Sequence, residues 1–285
     1  MSSLPERIGR ADLHIHSMAS DGIDGIAAIL EHAEQRTDLD VIAITDHERI
    51  DAAVAAQHVA RERGLRVDVI VGEEISTRSG HLLGLFLERR VRPWRSIADS
   101  IAEVHDQGGI AIVAHPLVPY PLCASGRTIR RLLDSPDARH HPDGIEAFNP
   151  TTAAMRWQRR IPAFVAQCGV AAVGNSDAHR ASALGQGSTT FPGRTAQEVR
   201  DAVIDRTTSP QGETYPWSTQ FTMVSAQLRK NARAVGADVR GRILRDGTGR
   251  YLGYPGSHLR PIRFDTHELP VITPRGETIG EEAAQ

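Results

Sequence analysis

Short apolar runs rich in β-branched residues alternate with helix-like stretches through residues 10–206 of this 285-residue chain. The strand-like runs are residues 10–16, 41–45, 67–72, 81–87, 110–114, 144–148 and 170–174, and the helix-like stretches are 26–36, 51–63, 96–107, 153–168 and 195–206. This alternation predicts an α/β fold with a largely parallel sheet and helices outside it. Polar residues follow the apolar runs, which favours a closed TIM-like barrel, because barrel enzymes carry catalytic groups at the C-terminal ends of their strands.

Composition narrows the class of protein. The chain is 40% hydrophobic and 24% charged, and no apolar stretch approaches the roughly 20 residues that span a bilayer. The first ten residues lack the apolar core of a signal peptide, and the two cysteines, Cys123 and Cys168, fit a reducing compartment. We therefore expect a cytoplasmic protein without membrane contact, in which both cysteines are packing residues. Lys230 is the only lysine, which disfavours a P-loop or a lysine Schiff base.

Histidines and carboxylates gather at the edges of these runs. His14 and His16 lie two residues apart on a predicted strand, so both side chains project from one face about 6.5–7 Å apart at Cα. Asp177 and His179 repeat that spacing far downstream. Two imidazoles so placed can chelate one ion, and mixed nitrogen and oxygen donors suit zinc, manganese or iron better than calcium or magnesium. The remaining candidate ligands are Asp21, His47, Glu74, His81 and His115, with Asp46 expected to orient His47.

His81 differs from the others because it begins an apolar run. The connection that precedes it, residues 76–80, is too short for a parallel crossover, which needs a dozen or more residues. It predicts an antiparallel pair, in which one strand starts where its neighbour ends. We therefore expect His81 beside Glu74 at the same rim.

Six segments together carry a family resemblance. They are Asp12-Leu13-His14-Ile15-His16-Ser17 with Ser20-Asp21-Gly22, Ile44-Thr45-Asp46-His47, Gly72-Glu73-Glu74-Ile75-Ser76, His81-Leu82-Leu83-Gly84, Ala114-His115-Pro116 and Ser176-Asp177-Ala178-His179. In order and content, over about residues 10–206, the chain resembles the PHP (polymerase and histidinol phosphatase) superfamily of metal-dependent phosphoesterases. The resemblance implies a distorted seven-stranded β/α barrel over residues 8–210, with a two- or three-metal centre at its C-terminal rim.

The resemblance also implies how the ligands are shared. His14, His16, Glu74 and Asp177 would hold one ion, Glu74 would bridge to a second ion on His81 and His115, and Asp21, His47 and His179 would hold a third. The family spacing Gly-x-Glu selects Glu74 over Glu73. The metals would be zinc, manganese or iron, and a metal-activated hydroxide would be the nucleophile.

Other catalytic and substrate contacts are less defined. Asp21, His115 and His179 are the candidate catalytic residues, with His115 or His179 as the proton donor to the leaving group. Three arginines are candidates for binding the phosphate: Arg49, Arg127 in a predicted loop, and Arg180. Glu146 and Asn149 follow another strand and either line the pocket or cap local structure.

Residues 211–285 are expected to form a small basic extension packed on the barrel. We predict a helix over 221–234, a hairpin over 242–253 and a disordered acidic tail over 277–285. Residues 227–263 contain nine basic and two acidic residues. This charge would either attract an anionic substrate or complement the acidic barrel or a second subunit.

Three functions follow from these patterns. The leading one is hydrolysis of phosphate esters of a small metabolite or nucleotide. The second is an exonuclease or oligonucleotide phosphodiesterase that uses the same centre, with short nucleic acid as its partner. The third is a non-catalytic PHP accessory module, which the complete ligand set disfavours. The sequence selects neither the substrate nor the oligomeric state.

Overall fold

The computed structural model describes residues 7–119, 122–153 and 158–212, together with residues 272, 274 and 275. The strands are β1 (Ile8–Ile15), β2 (Val41–Ile44), β3 (Asp68–Thr77), β4 (Gly80–Leu85), β5 (Ile110–Val113), β6 (Gly144–Phe148), β7 (Ala171–Gly174), β8 (Gly187–Pro192) and β9 (Ser209–Gly212). The helices are α1 (Ile26–Arg36), α2 (Asp51–Glu62), α3 (Ile97–His105), α4 (Gly126–Leu133), α5 (Pro150–Ala153), α6 (Ile161–Cys168) and α7 (Ala196–Asp205). Within these residues no helix is both long and apolar enough to cross a membrane.

The strands form one nearly closed barrel in the order β7-β6-β5-β4-β3-β2-β1-β8-β9. The pairs β1–β2, β2–β3, β5–β6 and β6–β7 are parallel, whereas β3–β4, β4–β5, β1–β8 and β8–β9 are antiparallel. The barrel predicted from the sequence is confirmed, and β1 to β7 are its seven predicted strands. The count differs because β8 and β9 add two more.

Both additional strands lack the apolar pattern that marks the other seven. β8 reads Gly-Ser-Thr-Thr-Phe-Pro and β9 reads Ser-Pro-Gln-Gly. They are strands because β8 pairs with the edge of β1, from Ile8 opposite Pro192 to Ala11 opposite Thr189, and β9 then pairs with β8. Pairing between distant segments, not local propensity, determines their conformation.

The barrel closes where β7 contacts β8 through the Thr189 hydroxyl and where the segment after β7 bridges to β1. Thr189 Oγ1 accepts a hydrogen bond from Gly174 N and donates to Gly174 O. A Cβ on Gly174 would lie 2.6 Å from Ser188 O, so only glycine allows this close approach. At the C-terminal rim, Ile15 forms a parallel bridge with Ala178. The segment that follows β7 therefore reaches the end of β1.

The β3–β4 hairpin differs from its prediction in length. β3 continues through Glu74 to Thr77, and β4 begins at Gly80. The connection is therefore residues 78–79 and not the predicted residues 76–80. The antiparallel pairing is confirmed, with Ser76 opposite His81 and Glu74 opposite Leu83. Glu74 therefore lies within a strand, and its orientation is fixed by the pleat.

Two helix predictions also need correction. Residues 125–128, expected to be a loop, instead form the N-cap and first turn of α4, in which the Ser125 hydroxyl accepts from Thr128 N. Of the single helix predicted over 153–168, the described residues form the end of α5 at Ala153, a 3₁₀ turn at Gln158–Arg160, and α6. Gly169 ends α6 in the left-handed region at φ 67°, as its sequence predicts.

Apolar residues fill the barrel interior beneath the rim. The interior cluster includes Leu13, Ile70, Leu83, Ile112 and Phe191, all essentially inaccessible to solvent. Separate clusters lie outside the sheet, one under α1 and α2 and the other around α3, α4 and α6. Because the lower interior is filled with hydrophobic side chains, polar chemistry is confined to the rim.

Little of the predicted C-terminal extension is described. Ile272 is buried in the cluster under α1 and α2, and Arg275 N donates to Glu34 Oε1 at 2.8 Å. These contacts place Ile272 and Arg275 against the α1 side of the barrel. The predicted helix, hairpin, acidic tail and basic segment 227–263 lie outside the described residues, so the domain division stays a prediction.

Candidate metal centre

All nine side chains that the sequence suggests as ligands meet at the C-terminal rim. Their donor atoms form four groups, each with atoms within 4.8 Å of one another. The groups are His14 with His16 and Asp177, His16 with His47 and Glu74, His16 with Asp21 and His179, and Glu74 with His81 and His115. Residues from β1, β3, β4 and four rim loops contribute.

An irregularity in β1 points the first two histidines into the site. The β1–β2 register shifts between Asp12 and Ile15. Leu13 faces the barrel interior, whereas Ile15 packs outside the barrel under α1 and α2. The shift exchanges the two faces of the strand, so that His14 and His16 point inward above Leu13.

The two widely separated ligand pairs are aligned by backbone pairing. His16 N donates to Ala178 O at 2.9 Å, and Ala178 N donates to His14 O at 3.3 Å. The residues on either side of Ala178, Asp177 and His179, thereby face the same way as His14 and His16. Asp177 Oδ1 lies 3.5 Å from His14 Nε2 and 3.4 Å from His16 Nε2. Asp177 adopts a left-handed backbone at φ 52°, an uncommon conformation that often occurs at functional sites.

Glu74 occupies the centre of the cluster. Its Oε2 lies 3.2–3.3 Å from the Nε2 atoms of His14, His16 and His47. Its Oε1 lies 2.7 Å from His81 Nδ1 and 3.0 Å from His115 Nε2. Each carboxylate oxygen therefore faces a different set of imidazoles, as a carboxylate that bridges two ions would.

Asp21 and His179 form the outer side of the cluster. Asp21 Oδ2 lies 3.0 Å from His179 Nε2, and Asp21 Oδ1 lies 3.2 Å from His16 Nδ1. The loop that carries Asp21 is held by Asp46, which accepts from Ser17 N and Ser17 Oγ at 2.8 and 2.6 Å. Asp46, expected to orient His47, thus holds the neighbouring loop.

The donor geometry fits divalent cations. Ligand atoms bound about 2.1 Å from one ion lie roughly 3.0–3.4 Å apart in octahedral and tetrahedral arrangements. The distance between His14 Nε2 and His16 Nε2 is 3.1 Å, and both are 3.2–3.3 Å from Glu74 Oε2. Glu74 Oε2 has about two lone-pair sites, fewer than the three imidazole nitrogens that face it, so hydrogen bonds alone do not satisfy this arrangement.

The charges of the cluster are interdependent. Burial alone would raise the pKa of Glu74, but the neighbouring His81, His47 and His14 outweigh burial and hold that pKa well below its usual range. Burial would likewise raise the pKa values of Asp177 and Asp21, but neighbouring histidines outweigh it and hold both values well below their usual range. For His47, burial dominates and lowers the pKa to about 4. His47 is therefore neutral near pH 7, which is the form of imidazole that binds metals.

Glu146 connects the ligands from beneath. This β6 residue is 1% exposed. Its Oε1 lies 3.1 Å from His14 Nδ1 and accepts from Asn175 Nδ2 at 2.9 Å. Its Oε2 accepts from His115 N at 2.7 Å and from Asn149 Nδ2 at 3.0 Å. A carboxylate on Nδ1 leaves His14 Nε2 as the donor to a metal. The sequence suggested pocket lining or capping and did not predict this orienting role.

Cys123 contacts the centre, contrary to the prediction that it only packs. Its Sγ lies 3.3 Å from His115 Nδ1, while His115 Nε2 faces Glu74. His115 itself has a positive φ of 27°. The thiol thus orients this imidazole as Glu146 orients His14. No motif in the sequence links Cys123 to a histidine eight residues away.

The three candidate arginines occupy different surroundings. Arg49 is buried, and its Nε donates to Asp51 Oδ1 at 2.9 Å. Arg127 is exposed in the first turn of α4, and Arg180 is exposed immediately after His179. Arg180 is the nearest in sequence to the ligands. A phosphate-binding role for each of these arginines stays a prediction.

Comparison with known proteins adds independent findings. A family model described as the PHP domain matches residues 12–125, and one described as PHP-associated matches residues 156–208. An uncharacterised protein from Methanocaldococcus jannaschii is 33% identical over 149 residues, covering 48% of this chain and 85% of that protein. Most of that relative is therefore represented here.

The relatives with named activities include two of which the chain covers little more than a third. The phosphoribosyl 1,2-cyclic phosphate 1,2-diphosphodiesterase of Eggerthella lenta is 34% identical over 98 residues, 32% of this chain and 36% of that enzyme. The 5′-3′ exoribonuclease Rnm of Salmonella typhimurium is 33% identical over 116 residues, 34% of this chain and 39% of that enzyme.

Solved structures share the fold. A two-domain protein from Bacteroides vulgatus that contains a predicted PHP-like metal-dependent phosphoesterase superimposes with a TM-score of 0.60 at 20% identity, covering 73% of this chain and 65% of that one. The protein PsfC from Pseudomonas syringae superimposes with a TM-score of 0.55 at 16% identity, covering 79% of this chain and 98% of that one.

Proposed function

This chain belongs to the PHP superfamily of metal-dependent phosphoesterases, and on that premise we propose that it hydrolyses phosphate esters of a small metabolite or nucleotide at a centre of two or three divalent ions. The observation that carries the proposal is the position of Glu74. Both of its oxygens are surrounded by imidazole nitrogens at 2.7–3.3 Å, a pattern that fits a carboxylate bridging two cations.

The nine side chains would hold the ions as the resemblance implies. His14 and His16 face one oxygen of Glu74 and have Asp177 beside them, and His81 with His115 face the other oxygen. Asp21 with His47 and His179 provides the third set. When bound, such ions lower the pKa of water and neutralise charge on the phosphoryl oxygens. We propose zinc, manganese or iron, because the donors mix imidazole with carboxylate.

The chain's own residues supply the positioning and the proton. Asp21 and His179 lie on the outer side of the cluster, where the His179 side chain is 19% exposed, compared with 12% for that of His115. His179 Nδ1 contacts Asp177 O at 2.9 Å, which fixes the orientation of the ring. In a two-ion centre that leaves His179 Nε2 without a metal, we favour His179 as the group that delivers a proton to the leaving oxygen. With three ions bound, His179 and the alternative donor His115 are both plain ligands. Arg180, exposed beside His179, is the best placed of the three arginines to bind phosphate.

The names of the two partly covered relatives favour a second candidate. One is called a cyclic phosphate diphosphodiesterase and the other an exoribonuclease, so both cleave phosphodiesters. A phosphodiesterase or exonuclease would use the same nine side chains. It differs from the first proposal only in the leaving group, which is a second ester oxygen carried by a larger substrate.

A phosphate-release screen on metal-loaded protein tests these proposals. The substrates are mononucleotides, sugar phosphates, histidinol phosphate, short oligonucleotides, and the p-nitrophenyl mono- and diesters. Release from the monoesters supports a phosphomonoesterase, and preferential cleavage of the diester and oligonucleotides supports the second candidate. No turnover by fully metal-loaded protein would contradict both and favour the accessory-module role.

A further inference from the structure

A basic segment with an exposed aromatic residue runs along β3 from the N-terminal end of the barrel up to the rim that carries the metal centre. Residues 88–95, here called the rim strap, read Glu-Arg-Arg-Val-Arg-Pro-Trp-Arg. Trp94 is 45% exposed and is the only aromatic among the large exposed hydrophobic side chains of the described residues. Of the strap only Val91 is buried. Cations around an exposed aromatic ring are the combination with which proteins hold single-stranded nucleic acid.

The strap is fixed against β3 by its backbone. Val91 N donates to Glu73 Oε2 at 2.7 Å, and Trp94 N donates to Ser76 O at 2.7 Å. Arg78 N donates to Arg95 O at 3.0 Å. These bonds hold Trp94 at φ 61°, a left-handed conformation that is costly for a bulky residue. The fold therefore holds a strained tryptophan at the surface, where hydrophobic packing alone gives no reason for it.

Ser76 connects the strap to the candidate ligands. The residue whose carbonyl accepts from Trp94 N also places its Oγ 3.4 Å from His81 Nε2. His81 Nδ1 in turn lies 2.7 Å from Glu74 Oε1. Trp94 is thus connected to the central carboxylate through two intervening residues, Ser76 and His81.

Part of the positive charge of the strap is available to a ligand. Arg95 is paired with Glu103 at 2.7 Å. Within the described part of the chain, the guanidinium groups of Arg89 and Arg92 form no hydrogen bond or ion pair, and both side chains are exposed. Arg78, on the adjoining hairpin, contacts Trp94 O through Nε at 2.9 Å. Exposed arginines of this kind bind phosphates, and such binding weakens as salt rises.

From this arrangement we propose that the rim strap binds single-stranded nucleic acid, with a base stacked on Trp94 and phosphates on Arg89 and Arg92. The inference rests on the proposed phosphoesterase function and names its substrate class as a nucleotide chain. One phosphate of the chain enters the metal centre, while the adjoining nucleotides run from Trp94 at the rim along β3 past Arg92 towards Arg89, whose N donates to Gln107 Oε1 near the start of β5.

Binding is tested on metal-loaded protein by fluorescence anisotropy with a labelled, fully phosphorothioate-linked 12-mer, which resists hydrolysis. Trp94→Ala is expected to weaken binding about 5- to 100-fold, and Trp94→Phe to retain most of it, because a phenyl ring still stacks. Exchanging Arg89 and Arg92 for serine is expected to reduce the slope of log K against log salt by about 1.4, since each phosphate contact contributes about 0.7 on a single strand.

The matched control is Arg61→Ser, which removes an exposed charge near the end of α2 that is remote from the rim. Binding should be unchanged in this variant. Wild-type protein that binds no 12-mer, or a Trp94→Ala variant that binds as tightly as wild type, would overturn the inference. Circular dichroism of each variant verifies that the fold is retained.

Hydrolysis of a small ester separates the two proposals. Trp94→Ala should cleave p-nitrophenyl phosphate at the wild-type rate, because this substrate is too small to reach the strap, while its KM for an oligonucleotide rises. Wild-type protein that hydrolyses the small ester but neither binds nor cleaves oligonucleotides contradicts the strap and leaves the proposed function intact. Protein that binds the 12-mer but hydrolyses no ester supports the strap and contradicts the proposed function.

Discussion

The two ends of the barrel both carry histidines beside carboxylates, and they use them differently. At the N-terminal end, His105 Nδ1 contacts Arg139 O at 3.0 Å and its Nε2 contacts Asp143 Oδ2 at 2.9 Å. His141 Nε2 contacts Ser135 O at 2.9 Å. These side chains line a cavity of about 380 Å³. At the C-terminal rim, ring nitrogens face one another and share the oxygens of Glu74.

The difference lies in the partners of the imidazoles. At the N-terminal end each of these nitrogens has its own oxygen, and Asp143 also accepts from Ala111 N at 2.7 Å, so protons complete the network. At the rim three nitrogens converge on one oxygen, and cations are needed to complete it. The same residue types therefore act structurally at one end and are arranged as metal ligands at the other. Substitutions at matched positions can test that contrast.

The largest effect is expected at the centre of the rim. Glu74→Gln should reduce phosphate release on the order of 1,000-fold or more, because an amide is a poor bridging ligand and metal stabilisation of the reaction is worth several kcal/mol. Metal content measured by mass spectrometry should fall with activity. The matched variant Asp143→Asn should keep both its metal and its activity. A Glu74→Gln variant with full metal and full activity would remove the distinction between the two ends.

A smaller loss is expected beneath the ligands. Glu146→Gln places an amide NH₂ where the carboxylate accepts from His115 N, Asn149 and Asn175 and orients His14. Metal affinity or activity should fall about 10- to 100-fold, as for other residues that orient metal-bound histidines. Titration with a metal-buffering chelator measures the affinity. An unchanged dissociation constant would show that Glu146 is needed only for folding.

At the N-terminal end the expected effect is on stability. Asp143→Asn should cost about 1–3 kcal/mol in the free energy of unfolding by removing a charged partner of His105 and Ala111 N. Burial lowers the pKa of His105, but the Asp143 carboxylate outweighs burial and raises it. A raised folded-state pKa gives stability that is complete below the unfolded value of about 6.5 and is lost as pH rises through the folded value.

The difference in stability between wild type and Asp143→Asn should therefore shrink between pH 6 and pH 8. Urea unfolding at both values measures it. The share of this free-energy difference that comes from the Ala111 N–Asp143 hydrogen bond should persist at pH 8, because the amide N–H does not titrate. A difference that grows with pH would show that His105 is not the partner that matters.

The smallest effect is expected at Cys123. Replacing it by alanine removes a weak partner of His115 Nδ1 and should lower activity roughly 2- to 5-fold, since a thiol hydrogen bond is weaker than an ordinary one. Cys123→Ser, which can still contact the ring, should retain most of the activity. Equal losses in the two variants would indicate that packing, not orientation of His115, explains the contact.

Features encoded in local patterns were predictable from the sequence. The seven apolar runs, the antiparallel placement of His81 and the gathering of nine polar side chains at one rim follow from periodicity, spacing and the family resemblance. β8 and β9 were missed because their conformation depends on pairing with β1 and not on their own residues. The actual end of β3, beyond Glu74, was missed because Glu73, Glu74 and Ser76 are polar although buried.

The contacts that orient the ligands were harder to predict. Glu146 is one acidic residue in an apolar strand, and nothing local shows that both of its oxygens serve four different groups. The rim strap was missed for a related reason. Arginine supplies nearly all of the basic residues of this chain, so four arginines in eight residues do not stand out until the fold places Trp94 against Ser76, which contacts His81.

The central claim is that the nine rim side chains form a multinuclear metal centre that hydrolyses phosphate esters. Its most direct test is the metal stoichiometry of the purified chain, measured together with phosphate release before chelation, after chelation and after metal is restored. We predict two or three zinc, manganese or iron ions per chain, loss of hydrolysis on chelation, and recovery when metal returns. Fewer than one ion per chain after metal loading, or undiminished hydrolysis without metal, would contradict the account.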